Sequence, residues 1–393
     1  MELVRLLLIA ACCISLTPVP QAEGEDASGT AHVITNRVDP DATPDDGWYF
    51  AVSGDSRDCG DVIMPKIARA IADRRSGAPV QFYWHLGDFR AIYRVDCDII
   101  KRTDPAFQCP AKDNPPPRYI ESAWDDFVKH QLMPFGKTPV FLGIGNHELY
   151  GDLTRYQYRE KFKKWLTPYP LERQRRQDAA RGIVYQPGNS YYHFVRRGVD
   201  FISLDNADDG GFWEEQLRWL TQVLAADAAD GSVTTIIAGM HAALPHSASS
   251  GHAMDKTCRS LCSGEQAYDL LYKAQNLDGP PEKRKRVYVL ASHSHRFLAD
   301  IYNTPELDGK VLPGWIVGTA GAEQYTETIQ YGYLQVKVKP DGTIETQFVD
   351  VTRDSPPLVS GRGAQEITSY CFEQNRRESQ DKKAAGCCCG TSQ

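Results

Sequence analysis

VFLGIGNHELYGD, residues 140–152, begins as a short apolar run and ends in Asn146, His147 and Glu148. The run is continuous rather than alternating, which suits a strand buried on both faces. Its polar end holds groups that bind cations or move protons. Four other stretches repeat the arrangement. WYFAVSGDSRDC (48–59) ends at Asp55, and VQFYWHLGDFRAIY (80–93) ends at Asp88. TTIIAGMHAALPH (234–246) ends at His241, and RVYVLASHSHRF (286–297) ends at His293 and His295.

Working outward, further apolar runs lie at 199–204 and 314–318, and helical patterns fall near 61–75, 121–132, 153–166, 213–227 and 265–275. Strands alternating with helices predict a layered α/β domain. In such a domain ligands bind beyond the carboxyl ends of the strands. Side chains from Asp55 to His295 are therefore expected to meet, and a single site argues for a single domain over 47–355. After residue 330 the period becomes two: 332–338 and 344–351 alternate about Pro340-Asp341-Gly342, a hairpin signal. The very polar, basic stretch 172–182 reads as a solvated loop or helix face. No internal repeat is evident.

The convergent set contains two Asp, one Asn and four His. Neutral imidazoles with carboxylates bind divalent transition ions, and the absence of cysteine argues against a structural zinc cage. The ligands exceed what one tetrahedral ion needs. Two ions a few ångströms apart, sharing one carboxylate, would use them, as in many phosphatases and nucleases. His293-Ser294-His295 on a turn can direct alternate side chains at two ions.

GDS (54–56), GDF (87–89), GNHE (145–148), His241 after its strand and SHSH (292–295) resemble the ordered motifs of the calcineurin-like metallophosphoesterases. GTAGAE (318–323) resembles the Gly-rich segment of purple-acid-phosphatase-like members. The resemblance implies a four-layer α/β/β/α sandwich of two mixed sheets. It implies that Asp88 bridges two ions, that Asp55 and His295 hold the first, and that Asn146, His241 and His293 hold the second. His147 is implied as general acid or substrate contact, with Asn146 also touching substrate and Glu148 orienting His147.

Two positions depart from that pattern. Arg57 stands where most members have His, and Ala91 where purple acid phosphatases have Tyr. The first ion would then lack a ligand, use water, or recruit Asp58 or Tyr93. The Arg57 guanidinium cannot ligate a cation, but it can clamp a phosphate bidentately; the alternative is an ion pair with Asp58 or a neighbouring loop. Arg90 is a weaker candidate of the same kind.

The chain has 393 residues, 24% charged and 41% hydrophobic, with 44 basic and 51 acidic side chains and a net charge of −7. That composition excludes a disordered polyelectrolyte and a multi-span membrane protein. It offers no nucleic-acid-binding patch. Residues 1–22 read as a secretory signal, too short in its apolar part to span a bilayer; Ile9-Ala10-Ala11-Cys12 alternatively suggests a lipid anchor at Cys12. Residues 23–46 read as a flexible linker and 356–393 as a low-order tail. Export would permit disulfides: Cys97 with Cys109 and Cys258 with Cys262 are the expected pairs, while a pairing of Cys59 with Cys371 across the fold is left open by the sequence. The adjacent Cys387, Cys388 and Cys389 read as part of a loose end.

The expectation is a secreted or periplasmic enzyme using two divalent ions (Mn, Fe or Zn) to activate hydroxide against a phosphate ester. A phosphomonoesterase comes first. A phosphodiesterase or nucleotide hydrolase, or a non-catalytic binding protein with an incomplete metal site, are the alternatives. The loops 94–118, 167–190 and 242–264 are expected to line the cleft.

Overall fold

The computed structural model describes residues 46–75, 77–90, 117–151, 153–183, 189–208, 211–249, 251–324, 329–354 and 373. The expected leader, the Cys12 anchor, most of the 94–118 insert, Tyr93, Cys97, Cys109, Cys371 and the cysteine triplet lie outside the described residues.

Eleven strands occur among the described residues: β1 (Trp48–Ser53), β2 (Val80–His85), β3 (Val140–Leu142), β4 (Tyr192–Arg196), β5 (Val199–Ser203), β6 (Thr235–Gly239), β7 (Arg286–Ala291), β8 (Phe297–Ala299), β9 (Gly314–Val317), β10 (Gly332–Val338) and β11 (Ile344–Asp350). They form two sheets, ordered β11-β10-β1-β2-β3 and β4-β5-β6-β7-β9-β8. Both sheets are mixed: β1 pairs with β2 and β6 with β7 in parallel, whereas β10 with β11 and β4 with β5 are antiparallel.

The apolar runs are unbroken because the central strands bury both faces. In β1, Trp48, Phe50 and Val52 point between the sheets while Ala51 packs on the other side. In β6, Ile237 points between the sheets while Ile236 and Ala238 face outward onto helices. The inter-sheet layer is aromatic: Phe82 stacks on Phe50 at 5.3 Å and meets Phe201 edge-on at 5.1 Å, geometries that the ring quadrupole favours. The Gly60–Ala72 helix covers the first sheet through Val62, Ile63 and Ile67. The Glu214–Ala229 and Cys258–Ala274 helices cover the second through Leu220, Val223, Ala267 and Leu271. This is the expected α/β/β/α sandwich.

β4 was missed by the sequence reading. It joins β5 through Arg197-Gly198, whose φ values of 49° and 76° are those of a two-residue hairpin turn matched to strand twist. The basic stretch is a helix, Tyr169–Ala180, which buries one apolar side chain, Leu171, and meets β4 through the polar Gln174 and Asp178. Gln174 accepts from the Val195 N–H (3.0 Å), and Asp178 reaches His193 (2.9 Å). A polar buried face carries no hydrophobic period for a sequence reading to find.

Cys258 and Cys262 are unpaired, which corrects the expected disulfide. They stand four residues apart on one helix, where Cβ atoms lie about 6 Å apart, whereas a disulfide needs about 3.8 Å.

Candidate metal centre

Each expected ligand sits where its strand ends. Asp55 follows β1, Asp88 follows β2, Asn146 opens a turn after β3, His241 follows β6, and His293 and His295 follow β7. Backbone bonds lock these ends side by side: Asp55 N–H donates to the Gly87 carbonyl (3.0 Å), Ser56 N–H to Asp88 (2.8 Å), and Ser292 N–H to His241 (2.8 Å). Asp55, Asp88, His293 and His295 have φ of 59°, 60°, 66° and 41°. Such left-handed conformations cost non-glycine residues of order 1–3 kcal/mol each and gather at functional sites.

Two groups of donors result, and both contain Asp88. Asp88, His241 and His293 form one; Asp55, Asp88 and His295 form the other, the donor atoms in each lying within 4.8 Å of one another. Asn146 joins the first, its Oδ1 2.9 Å from His241 Nε2. The remaining atoms of these side chains are already committed. Asp55 Oδ2 accepts from the His293 N–H (2.7 Å) and Asp88 Oδ1 from the His147 N–H (3.0 Å). Asp55 Oδ1, Asp88 Oδ2 and His293 Nδ1 are buried without a hydrogen-bond partner among the described residues.

The histidine tautomers point the same way. His241 Nδ1 lies 3.1 Å from the Leu86 carbonyl and 3.0 Å from Ser292 Oγ, so it donates and leaves the lone pair on Nε2. That nitrogen faces Asn146 Oδ1 and, at 3.2 Å, Asp88 Oδ1. Three electronegative atoms converging in a buried space call for positive charge between them, which either a metal ion or a proton on Nε2 supplies. His295 Nδ1 donates to the Glu323 carbonyl (2.8 Å), leaving Nε2 toward Asp55 Oδ1 at 3.5 Å. Orienting bonds of this kind are the usual support of metal-binding imidazoles. The residues fit a pair of divalent ions.

Electrostatics agree. Burial and the neighbouring His241 push His293 well below the ordinary histidine range, and burial with Arg57 does the same for His295, so both are held in the neutral, ligating form. Burial raises Asp55 to about 7, with Asp88 adding to the rise and His241 opposing it. Burial would lower His241, but Asp88 outweighs it and the imidazole rises to about 9. A carboxylate pair this deeply buried calls for positive charge, which a proton on His241 supplies when no metal does.

Glu148 does not orient His147 as expected. Its carboxylate accepts backbone N–H bonds from Gly145, Asp88 and Phe89, each 2.8 Å, and so clamps the Asp88 turn to the Asn146 turn. Gly145 permits that approach: a Cβ there would lie 2.3 Å from Asp88 Oδ1. Gly318 does the same beside Asp55, where a Cβ would come within 2.6 Å of Oδ2.

Arg57 is buried and fully engaged. Nη1 lies 2.6 Å from His147 Nε2, Nη2 pairs with Glu323, and Nε lies 3.7 Å from Asp58. Asp58 Oδ2 accepts the Glu323 N–H at 3.1 Å rather than joining either donor group. Arg90 is no phosphate clamp; it is buried against Asp61 (2.7 Å) and Asp126. Ala242, Met254, Lys256 and Ser260 line a small hollow with Asn146, His241 and His293, so part of 242–264 borders the site as expected. The 167–190 stretch instead supplies the helix on β4.

Three contributors escaped the sequence reading. His252 places its ring 5.1 Å from His293. Asn206 Oδ1 accepts the N–H groups of His241 and Ala242, each at 3.1 Å. Glu323 meets Arg57. Asn206 follows the apolar run 199–204 at the end of β5, so the strand-end pattern held a signal for it; His252 and Glu323 end no such strand, although the Gly-rich 318–323 segment was a signal for Glu323.

No family model matches the sequence, and no curated protein matches it. Its fold is similar to that of a solved purple acid phosphatase. The particular structure is purple acid phosphatase PPD1 from yellow lupin (Lupinus luteus) seeds, with a TM-score of 0.52 and 15% identity over 81% of this chain and 53% of that one. The chain thus spans about half the length of the lupin protein. Hypothetical protein PH1004 from Pyrococcus horikoshii OT3 aligns at a TM-score of 0.33 and 10% identity over 84% of this chain and 93% of that one, too low to establish a shared fold.

Proposed function

We propose that the protein is an exported, metal-dependent phosphoesterase, with phosphomonoesters as its first substrate class. The observation that carries this reading is the pair of buried donor groups sharing Asp88. Asp55, Asp88 and His295 would hold one divalent ion, and Asp88, Asn146, His241 and His293 the other. Mixed nitrogen and oxygen donors suit Mn, Fe or Zn. When bound, the ions supply an activated water and neutralise charge on the phosphoryl group.

The chain's own residues do the rest. Glu148 and the backbone bonds at Asp55 and Asp88 hold the carboxylates in place before substrate arrives, which lowers reorganisation. Arg57 moves from His147 to a phosphoryl oxygen, meeting negative charge with a planar fork. That movement frees His147 Nε2, which then takes a proton and passes it to the leaving oxygen. Asn146, at the mouth of the second group, also contacts the ester. The signal-like residues 1–22 support export.

Metal analysis of the purified full chain, with assays on a chromogenic phosphomonoester and a bis-ester, tests the reading. Two ions per chain with monoester turnover supports it. One ion or none, without turnover, makes the protein a binding module, an outcome that the three-donor Asp55–Asp88–His295 group makes worth measuring. Turnover of the bis-ester alone would make it a diesterase.

A further inference from the structure

Glu323 closes the Gly-rich segment after β9, and its backbone is fixed from both sides. Its N–H donates to Asp58 Oδ2 at 3.1 Å, and its carbonyl accepts from His295 Nδ1 at 2.8 Å. The carboxylate is thereby aimed at Arg57 by the same backbone that orients a metal-site histidine. The pair is largely out of water, with side chains 5% and 13% exposed. Asp58 stands 3.7 Å from the same guanidinium, so two carboxylates face one cation.

We infer that Glu323 is a specificity-determining residue that competes with phosphoryl oxygens for Arg57 and handicaps dianionic phosphate relative to monoanionic diesters. The inference rests on the reading that this site binds phosphoryl groups. For the Arg57 fork to grip a phosphoryl group through both terminal nitrogens, Nη1 must leave His147 and Nη2 must leave Glu323, and the uncovered carboxylate then stands beside the incoming charge. A monoester or inorganic phosphate brings a second negative charge into that partly buried space, where screening is weak. A diester presents an esterified oxygen there and meets less repulsion. Glu323 therefore weakens retention of the product phosphate and shifts the balance between the two ester classes.

The test uses the metal-loaded full chain and its Glu323→Gln variant, which keeps the side-chain shape and both backbone bonds. Calorimetric titration with inorganic phosphate should show roughly ten-fold tighter binding in the variant, the size expected from removing one close charge. The kcat/KM ratio of monoester to bis-ester should rise, carried mainly by a lower monoester KM. Glu323→Ala should shift phosphate affinity in the same direction. Unchanged phosphate affinity and ratio would overturn the inference, as would equal losses on both esters or lost metal, which would mark a purely structural residue. Wild-type protein that neither binds phosphate nor cleaves either ester would overturn the functional reading itself, and this inference with it. Wild-type activity with an indifferent Glu323→Gln variant would overturn the inference alone.

Discussion

Arg57 Nη1 donates to His147 Nε2 at 2.6 Å, joining residues 90 positions apart in the chain. A guanidinium only donates, so Nε2 accepts and the ring proton sits on Nδ1. The nitrogen facing Asp88, 3.8 Å from its Oδ2, thus holds no proton to give while Arg57 is in place. The arrangement couples the two residues: His147 becomes available at Nε2 only as Arg57 turns to another acceptor.

Arg57→Ala should lower monoester kcat/KM by about 10²-fold, the usual loss when one preorganised donor is removed from developing charge. Metal content should stay at the wild-type level, because Arg57 cannot ligate. Arg57→Lys should recover only part of the rate, since an ammonium lacks the planar fork. Steady-state kinetics with metal analysis checks this, and a wild-type kcat/KM in the alanine variant would remove Arg57 from substrate binding.

Asp88→Asn should reduce bound metal at both positions together, because Asp88 belongs to both donor groups. His241→Ala should deplete one position preferentially. Metal stoichiometry on the two variants distinguishes shared from separate ligation. Loss of a single ion in Asp88→Asn would contradict the bridging role.

Gly145→Ala places a methyl 2.5 Å from the Asp88 backbone nitrogen, against main chain rather than a flexible tip. The two ligand-bearing turns must separate. We expect a stability loss of about 1–3 kcal/mol, typical of overpacking, together with weakened metal binding. Thermal melting and metal analysis read both. A variant with wild-type Tm and full metal would show that the turns have slack.

A pH effect on stability should arise away from the metal centre. His193 on β4 lies 2.8 Å from Asp200 on β5 and 2.9 Å from Asp178 on the Tyr169–Ala180 helix, its ring against Trp219. Burial would lower its pKa, but Asp200 and Asp178 outweigh burial and raise it to about 10. Asp227, beside Asp200 and near Lys285, is itself raised to about 10 by burial and by Asp200. Both groups hold more protons folded than unfolded, so stability falls as pH rises. The His193 contribution is whole below about 6.5, its unfolded value, and is lost toward about 10, with a slope of up to about 1.4 kcal/mol per pH unit. His193→Gln should be destabilised by about 3–5 kcal/mol at pH 6 by stranding buried carboxylates, and the deficit should shrink by pH 9. Denaturant melts at the two pH values decide it; a deficit that is constant or grows with pH would refute the charged-His193 account.

The strand-end pattern was legible because it is local. An apolar run of five or six residues buried on both faces announces itself through composition, and the residue after it inherits a place at the sheet's carboxyl edge. All six expected metal ligands followed from that rule together with the family resemblance. Helix Tyr169–Ala180 failed it because Gln174 and Asp178 bury polar atoms against β4, leaving no apolar stripe. Strand β8 is only three residues long, too short to carry a period.

By itself, then, the order of residues determined a layered α/β chain with Asp55, Asp88, Asn146, His241, His293 and His295 at strand ends, since covalent geometry ties each side chain's direction to its neighbours. Tertiary structure alone decided the polar pairings. Arg57 meets Glu323 across 266 positions, Glu148 clasps the Asp88 turn rather than His147, and Cys258 and Cys262 stay thiols on a helix. Hydrogen bonds and ion pairs act only over a few ångströms, and which groups come that close is set by how the two sheets and their turns pack.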